Sequence, residues 1–395
     1  MPELFAWIGA ASAVVLATTW LADGAIVRRV FASAILAFAS YWPIRLVWYP
    51  GRPTQAEIRR GVTRSLFWNP NISLLDKVLQ FLFPLLLPVG RLCWEGEGQD
   101  RTGPTPATIA DVRRRLQQLP GHDAAVAAAG YAASAARWGG VEVVLHAPAS
   151  PSPAARRLPA LVVWCHGGGL TLGGARDPSL VDALRALAAR RPADAALPTV
   201  ASVEYRLAPE HAFPAPIDDV AAALRRGAED VGTAYSSVHL AGISAGAYLA
   251  LAALRRAVDG GVPVASVLAI EPMVRLTGAH ESEFANAYAR TSPPRWLKWC
   301  WDVYTAGQED CDVYTGLYAA AWWKALGKRP GAPKMVVSVA AGDPMCGAGE
   351  RLVGFMTDGT DLSVATFKTQ ASHGCGAIDG ATHAKIMDAF AKNIF

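Results

Sequence analysis

From Val141 onward, short apolar runs alternate with helical segments. The fully apolar run 161–165 predicts a strand buried on both faces of a sheet. Strands are expected at 141–146, 161–165, 200–205, 238–243, 264–270, 335–340 and 362–367. Between and after them the pattern predicts helices over 177–190, 217–229, 245–257 and 383–393. Asp218 and Asp219 then fall in the first turn of the second helix, where the helix dipole favours negative charge. Strands alternating with helices imply an α/β class and a mostly parallel, doubly wound sheet. Residues 277–328 break the alternation and are too long for a plain connection. They hold Trp296, Trp299, Trp301, Trp322 and Trp323 and are read as an insertion over the active end of the sheet. There is no internal repeat.

The first third of the chain has a different pattern. Residues 4–22 carry no charge, and a run of that length just spans a bilayer. Asp23, Arg28 and Arg29 close it. A second apolar run, 30–44, contains Pro43, ends at Arg45, and is too short for another span. Residues 1–50 are therefore expected to form a membrane anchor with an interfacial segment; a buried helical arm is the alternative. Glu3, with no Lys or Arg beside it, argues against a cleaved signal peptide. Arg28, Arg29, Arg45, Arg52, Arg59 and Arg60 would keep the body cytoplasmic under the positive-inside rule. Asn71-Ile72-Ser73, a glycosylation sequon, would matter only in a lumen. The expected location is a single-pass membrane protein, with the endoplasmic reticulum as one candidate and sidedness open. Residues 51–140 read as a helical cap region. The apolar stretch 72–92 is interrupted by Asp76, Lys77, Pro84 and Pro88, and the alanine-rich stretch 124–136 predicts a helix. Residues 141–395 are left as the catalytic domain.

Composition narrows the functional classes. The 395 residues are 52% hydrophobic and 18% charged. The mean hydropathy of +0.21 is high for a soluble enzyme and is traced to the N-terminal runs. The net charge is only +4, and no block of Lys or Arg builds a nucleic-acid groove. Six cysteines (Cys93, Cys165, Cys300, Cys311, Cys346 and Cys375) form no CxxC pair, which argues against a zinc or redox site. A disulfide between Cys300 and Cys311 stays open.

The chemistry concentrates at strand ends. Gly242-Ile243-Ser244-Ala245-Gly246 fits the G-x-S-x-G nucleophile elbow, with an expected strand before it and a small-residue helix after it. The turn strains Ser244 and points its hydroxyl outward; a tight turn that merely needs small residues is the competing reading. His166-Gly167-Gly168-Gly169 follows another strand. Its glycines let backbone amides approach a ligand. Gly167, Gly168 and Ala245 are the expected oxyanion-hole donors; a flexible loop is the alternative. A serine hydroxyl needs a base. In this arrangement the order along the chain is serine, acid, histidine. Asp343, in Gly342-Asp343-Pro344, and His373, in Ser372-His373-Gly374, follow successive strands. Asp343 would fix the imidazole tautomer of His373. Each alone could be an ordinary loop residue; their order and position together select them. His383 is a rival base, and Asp358 and Asp361 are rival acids.

These blocks, with Tyr205-Arg206-Leu207-Ala208-Pro209-Glu210-His211, resemble the hormone-sensitive lipase family of α/β-hydrolases. The resemblance covers Val141 to the C-terminus. It implies an α/β-hydrolase fold with a helical cap, an activity among esterases, lipases and deacetylases, and no metal or cofactor. It implies that His166 supports the oxyanion loop and that Arg206 and Glu210 pair beside the site. In layout, an N-terminal anchor plus this domain looks like the membrane-bound arylacetamide deacetylase and fungal steryl acetyl hydrolase branch. Hydrolases of similar layout also occur in fungal natural-product pathways. Three positions depart from the family pattern. Ile243 stands where Asp is usual, Ala247 where Gly is frequent, and Cys375 follows Gly374 where Phe is frequent.

The leading expectation is a membrane-anchored serine esterase for a small apolar ester, with the tryptophans as candidate pocket walls or plain packing. An amide- or lactone-opening enzyme of natural-product biosynthesis would use the same residues. A non-catalytic ligand-binding protein on this fold is the third class. A homodimer is open alongside a monomer.

Overall fold

A computed structural model of the chain describes residues 106–117, 121–150, 157–274, 294–308, 317–374 and 379–395. Its centre is an eight-stranded sheet. In chain order the strands are β1 (Tyr131–Trp138), β2 (Val141–Pro148), β3 (Leu161–Cys165), β4 (Thr199–Val203), β5 (Val238–Ile243), β6 (Ser266–Ile270), β7 (Lys334–Ala340) and β8 (Val364–Thr369). They lie side by side as β1-β2-β4-β3-β5-β6-β7-β8. The pairs β1–β2 and β2–β4 are antiparallel and all the others parallel. Every residue of β3, β4 and β6 is buried; β3 is apolar throughout, while β4 and β6 bury Thr199, Ser202 and Ser266 among their apolar residues.

The helices are α1 (Pro106–Gln117), α2 (His122–Ala128), α3 (Pro178–Ala189), α4 (Ala215–Ala228), α5 (Ala245–Asp259), α6 (Pro294–Thr305), α7 (Ala320–Gly327), α8 (Cys346–Thr357) and α9 (Gly380–Ile394). They form two layers. One apolar cluster joins the sheet to α1, α4, α5, α6, α7 and α8; the other joins its opposite face to α2, α3 and α9. This is the doubly wound arrangement that the alternating pattern predicts. Helix α5 is buried nearly all round, and its alanines let its backbone lie close to β5. Asp177 caps α3 by accepting from the Ser179 amide at 2.6 Å, and Pro178 occupies the first turn, where no amide donor is needed.

The structure corrects the reading of 124–136 as one helix. Only α2 is helical there; Gly130 follows with φ 84°, and Tyr131 starts β1. Pairing along all of β2, from Tyr131 opposite Pro148 to Trp138 opposite Val141, overrides the helix propensity of alanine. The sheet thus begins ten residues before Val141. The expected anchor (1–50), the apolar stretch 72–92, the sequon at Asn71 and Cys311 lie outside the described residues. Among the described residues no helix is long and apolar enough to cross a membrane.

In the parallel half of the sheet the register brings several strand ends to one edge. Cys165 lies opposite Gly242, Ile243 opposite Ile270, and Ala340 opposite Thr369. The residues just beyond those ends therefore share the carboxyl edge, where ligands bind in open α/β sheets.

Candidate active site

Ser244 joins β5 to α5 with φ 57° and ψ −121°, a backbone conformation that L-residues rarely adopt. Two backbone bonds hold it there. Its amide donates to the Ile270 carbonyl at 2.8 Å, and its carbonyl accepts from the Met273 amide at 2.9 Å. The flanking glycines are required by space. A Cβ on Gly246 would run into the carbonyl of Cys165, and one on Gly242 into the carbonyl of Gly246. The elbow can form only while the start of α5 stays against the end of β3.

The Ser244 hydroxyl lies 2.7 Å from His373 Nε2. His373 Nδ1 lies 2.6 Å from Asp343 Oδ2. The Asp343 carboxylate can only accept, so Nδ1 carries the proton and the Nε2 lone pair faces the serine. Asp343 is set by the loop after β7, where its Oδ1 accepts from the Met345 amide at 2.8 Å. Ala341 and Gly342 donate to the Thr369 and Ala371 carbonyls at 2.9 and 2.8 Å, tying the Asp343 loop to the His373 loop. Asp343 and His373 are both buried, and Ser244 is half-buried. Burial alone would lower the His373 pKa. The Asp343 carboxylate, with Glu271, outweighs it and holds the imidazole above its ordinary value.

Gly167 lies directly against this group, since a Cβ placed on it would sit 3.5 Å from Ser244 Cβ. Beyond it, Gly168 turns the loop at φ 116°, and its carbonyl accepts from the Leu172 amide at 2.9 Å. His166 does not reach Ser244. Its ring stacks on Tyr205 with centroids 4.1 Å apart, and its Nδ1 donates to the Gly167 carbonyl at 2.7 Å. The Tyr205 hydroxyl donates to the His166 carbonyl at 2.7 Å. Burial lowers the His166 pKa, and the ring holds the loop as a neutral group. Ala245, which follows Ser244, opens α5.

The rival residues lie elsewhere. His383 is on α9, where Asp182 of α3 and Arg190 are its charged neighbours. Asp358 and Asp361 are exposed beyond the end of α8. Of the departures from the family pattern, Ile243 is half-buried, with Cγ2 3.6 Å from a Cβ placed on Gly167. Ala247 is wholly buried, so its methyl is accommodated. Cys375 is outside the described residues.

The expected Arg206–Glu210 pair does not form. Arg206 binds Asp219 on α4 instead, and Glu210 binds Arg113 on α1 at 2.9 and 3.0 Å. Arg113 also donates to the Thr171 and Ala208 carbonyls, each at 2.7 Å, and so fastens the loop after β3 to the loop after β4. The insertion contributes α6 and α7. Trp301 Nε1 donates to the Val274 carbonyl at 3.2 Å, and Trp323 Nε1 donates to the Leu317 carbonyl at 2.8 Å. Both rings are core packing. Trp296 and Cys300 press on the glycine loop, where a Cβ on Gly169 would lie 2.7 Å from Cys300 Sγ and 3.5 Å from Trp296 Nε1. Cys300 Sγ lies 3.7 Å from the Thr171 hydroxyl.

Sequence reading also passed over Glu271. It follows β6 with φ 48° and is buried against the His373 loop. The one available signal was an acidic residue closing a mostly apolar run.

A family model described as alpha/beta hydrolase fold matches residues 162–375, just over half of the chain. Among curated relatives, the carboxylesterase NlhH of Mycobacterium tuberculosis is 43% identical over 108 residues, 26% of this chain and 31% of its own. An acetyl-hydrolase of Streptomyces hygroscopicus is 37% identical over 140 residues, 35% of this chain and 44% of its own. The chain thus spans less than half the length of these relatives. Among solved structures, a hyperthermophilic esterase from the archaeon Pyrobaculum calidifontis superposes with a TM-score of 0.61 at 23% identity, covering 82% of this chain and 97% of that one. A bacterial heroin esterase gives 0.57 at 24% identity, covering 73% and 93%. With the sheet order, the strained serine elbow and the matched span in agreement, this chain belongs to the α/β-hydrolase family, in its hormone-sensitive-lipase-like branch.

Proposed function

We propose that this protein is a serine hydrolase that cleaves a carboxylic ester of a small apolar substrate. The observation that carries the reading is the unbroken chain from Ser244 Oγ through His373 to Asp343, at 2.7 and 2.6 Å. His373 takes the hydroxyl proton as Ser244 Oγ attacks the ester carbonyl carbon. Asp343 stabilises the imidazolium that results. The carbonyl oxygen becomes an oxyanion, facing the amides of Gly167, Gly168 and Ala245. As the carbon–oxygen bond breaks, His373 returns the proton to the departing alkoxide and an acyl-enzyme remains. Water, deprotonated by His373, then attacks the acyl carbon; the acid leaves and Ser244 regains its proton. No step calls for a metal or an organic cofactor. Names of relatives that are carboxylesterases and acetyl-hydrolases support the ester as substrate. The apolar preference is supported by Trp296, which lies beside the glycine loop and carries Trp299 stacked on its ring.

The uncharged run 4–22 supports attachment of the enzyme to a membrane. Fractionation of cells expressing the full chain and a chain lacking 1–50 tests this; recovery of both in the soluble fraction would contradict it.

The test of the chemistry is a panel of p-nitrophenyl acetate, butyrate and decanoate, with matched anilides and lactones, for the parent and Ser244→Ala. Ester turnover falling by ~10⁶-fold in the variant supports the reading. Anilide or lactone turnover above ester turnover would move the substrate class to amides or lactones.

A further inference from the structure

Glu271 is a second buried carboxylate at the centre of the site, and the triad chemistry does not use it. It is 1% exposed. Its backbone stands between the two bonds that hold Ser244, one to the Ile270 carbonyl and one from the Met273 amide. Its own amide donates to the Ser338 carbonyl of β7 at 2.9 Å. Its carboxylate turns toward the histidine loop. Oε2 accepts from the Gly374 amide at 2.6 Å, and Oε1 accepts from the Thr369 hydroxyl at 3.4 Å. One residue, in the turn whose neighbours Ile270 and Met273 hold the serine elbow, thus also bonds the strand that leads to Asp343 and the residue after His373. Its φ of 48° is a strained conformation for a side-chain-bearing residue. A Gly or Asn would hold that turn at lower cost.

From this placement we propose that Glu271 is a positioning residue for His373. Its carboxylate anchors the histidine loop at the Gly374 amide and supplies a second negative charge for the imidazolium formed during catalysis. The inference rests on the triad reading above.

The electrostatics agree with the geometry. Among the described residues, the charged or titratable groups acting on Glu271 are His373 and Asp343, and those raising the affinity of His373 for its proton are Asp343 and Glu271. Burial pushes the Glu271 carboxyl up to about 7, with His373 pulling it down and Asp343 pushing it up. Above that pH Glu271 is anionic, and it favours a proton on His373. Activity needs the neutral imidazole, so the negative charge on Glu271 moves the acid limb of the pH profile upward. Removing the charge moves the limb down.

The experiment compares pH profiles of kcat/KM for the parent, Glu271→Gln and Glu271→Ala on the best p-nitrophenyl ester, with fluorophosphonate labelling of Ser244 in each. Glu271→Gln keeps an acceptor for the Gly374 amide and removes the charge, in a side chain of the same shape. It is expected to fold with the parent's circular dichroism and to shift the acid limb to lower pH. Glu271→Ala also removes the anchor, and its plateau kcat is expected to fall on the order of 10²-fold while KM changes little. A Glu271→Gln profile that overlays the parent's, with Ser244 still labelled, overturns this inference alone. An unlabelled and inactive parent overturns the triad reading and this one together.

Discussion

The guanidinium of Arg206 grips both carboxylate oxygens of Asp219, with its Nε at 3.1 and 2.9 Å and one terminal nitrogen at 2.8 Å. The Arg206 amide adds another bond to the same carboxylate at 2.9 Å. Asp219 is 6% exposed and sits in α4, so this pair fixes the loop after β4 to the helix layer. Glu210 by contrast is largely exposed in its pair with Arg113. Bonds to a buried charge are worth more than bonds at the surface. Asp219→Ala is therefore expected to cost about 2–3 kcal/mol in urea unfolding, and Glu210→Ala less than about 1 kcal/mol. Equal costs would contradict this assignment.

Gly246→Ala should damage activity and fold together. The added methyl meets the Cys165 carbonyl, and relief requires the start of α5 to move away from β3. Overpacking of this kind costs about 1–3 kcal/mol. The displaced Ser244 should lower kcat on the order of 10²-fold. Steady-state kinetics beside a thermal melt checks both. Full activity with an unchanged melt would show that the elbow has more room than the geometry allows.

How far the sequence carries the account depends on which forces act. Strand β3 is legible because a strand covered on both faces reads as an unbroken apolar run, and β5 and β7 because their runs are mostly apolar, interrupted by the buried His239 and Ser338. Strand β1 was not, since its run of Ala and Ser reads as helix until eight pairings with β2 decide it. Ser244, Asp343 and His373 could be found because each follows a strand whose register brings its end to one edge. Partners set by the fold were hidden. The family resemblance implied a local pair of Arg206 with Glu210, whereas Asp219 becomes adjacent only once α4 packs. Glu271 meets Gly374 across 103 residues, and no spacing announces that contact.

Activity should decline at acid pH with a midpoint above 6.5, the ordinary histidine value. Burial opposes protonation of His373, but Asp343 and Glu271 outweigh burial and raise its pKa. The protonated ring cannot accept the Ser244 proton, so kcat/KM is lost as pH falls through that raised value. A pH profile of kcat/KM on a non-ionising ester checks it; a limb below 6.5 would contradict the assignment.

Stability should carry a separate acid signature from His239. This ring is wholly buried, and its two nitrogens meet the Ser237 and Ser266 hydroxyls at 2.9 and 2.7 Å. Burial lowers its pKa to about 4. The unfolded chain takes up a proton near 6.5 and the folded chain does not. Stability from this group is therefore whole above 6.5 and is lost as pH falls toward 4, at most about 3 kcal/mol. Urea unfolding of the parent and His239→Gln at pH 7.5 and 4.5 should show the variant losing less across that interval. Parallel losses would exclude His239 as the source.

Histidine identity separates the triad from its neighbours. His373→Ala should lower kcat by about 10⁶-fold. His383→Ala, on α9 beside Asp182 and Arg190, should change it by less than about two-fold. Comparable losses would remove His373 from its place.

The most direct measurement is the mass of the peptide carrying Ser244 after the parent meets a fluorophosphonate, beside His373→Ala treated alike. The account predicts an adduct on Ser244 in the parent and little or none in the variant, because the oxygen is a nucleophile only while His373 accepts its proton at 2.7 Å. A folded parent with Ser244 unmodified, or with the adduct on another residue, would contradict it.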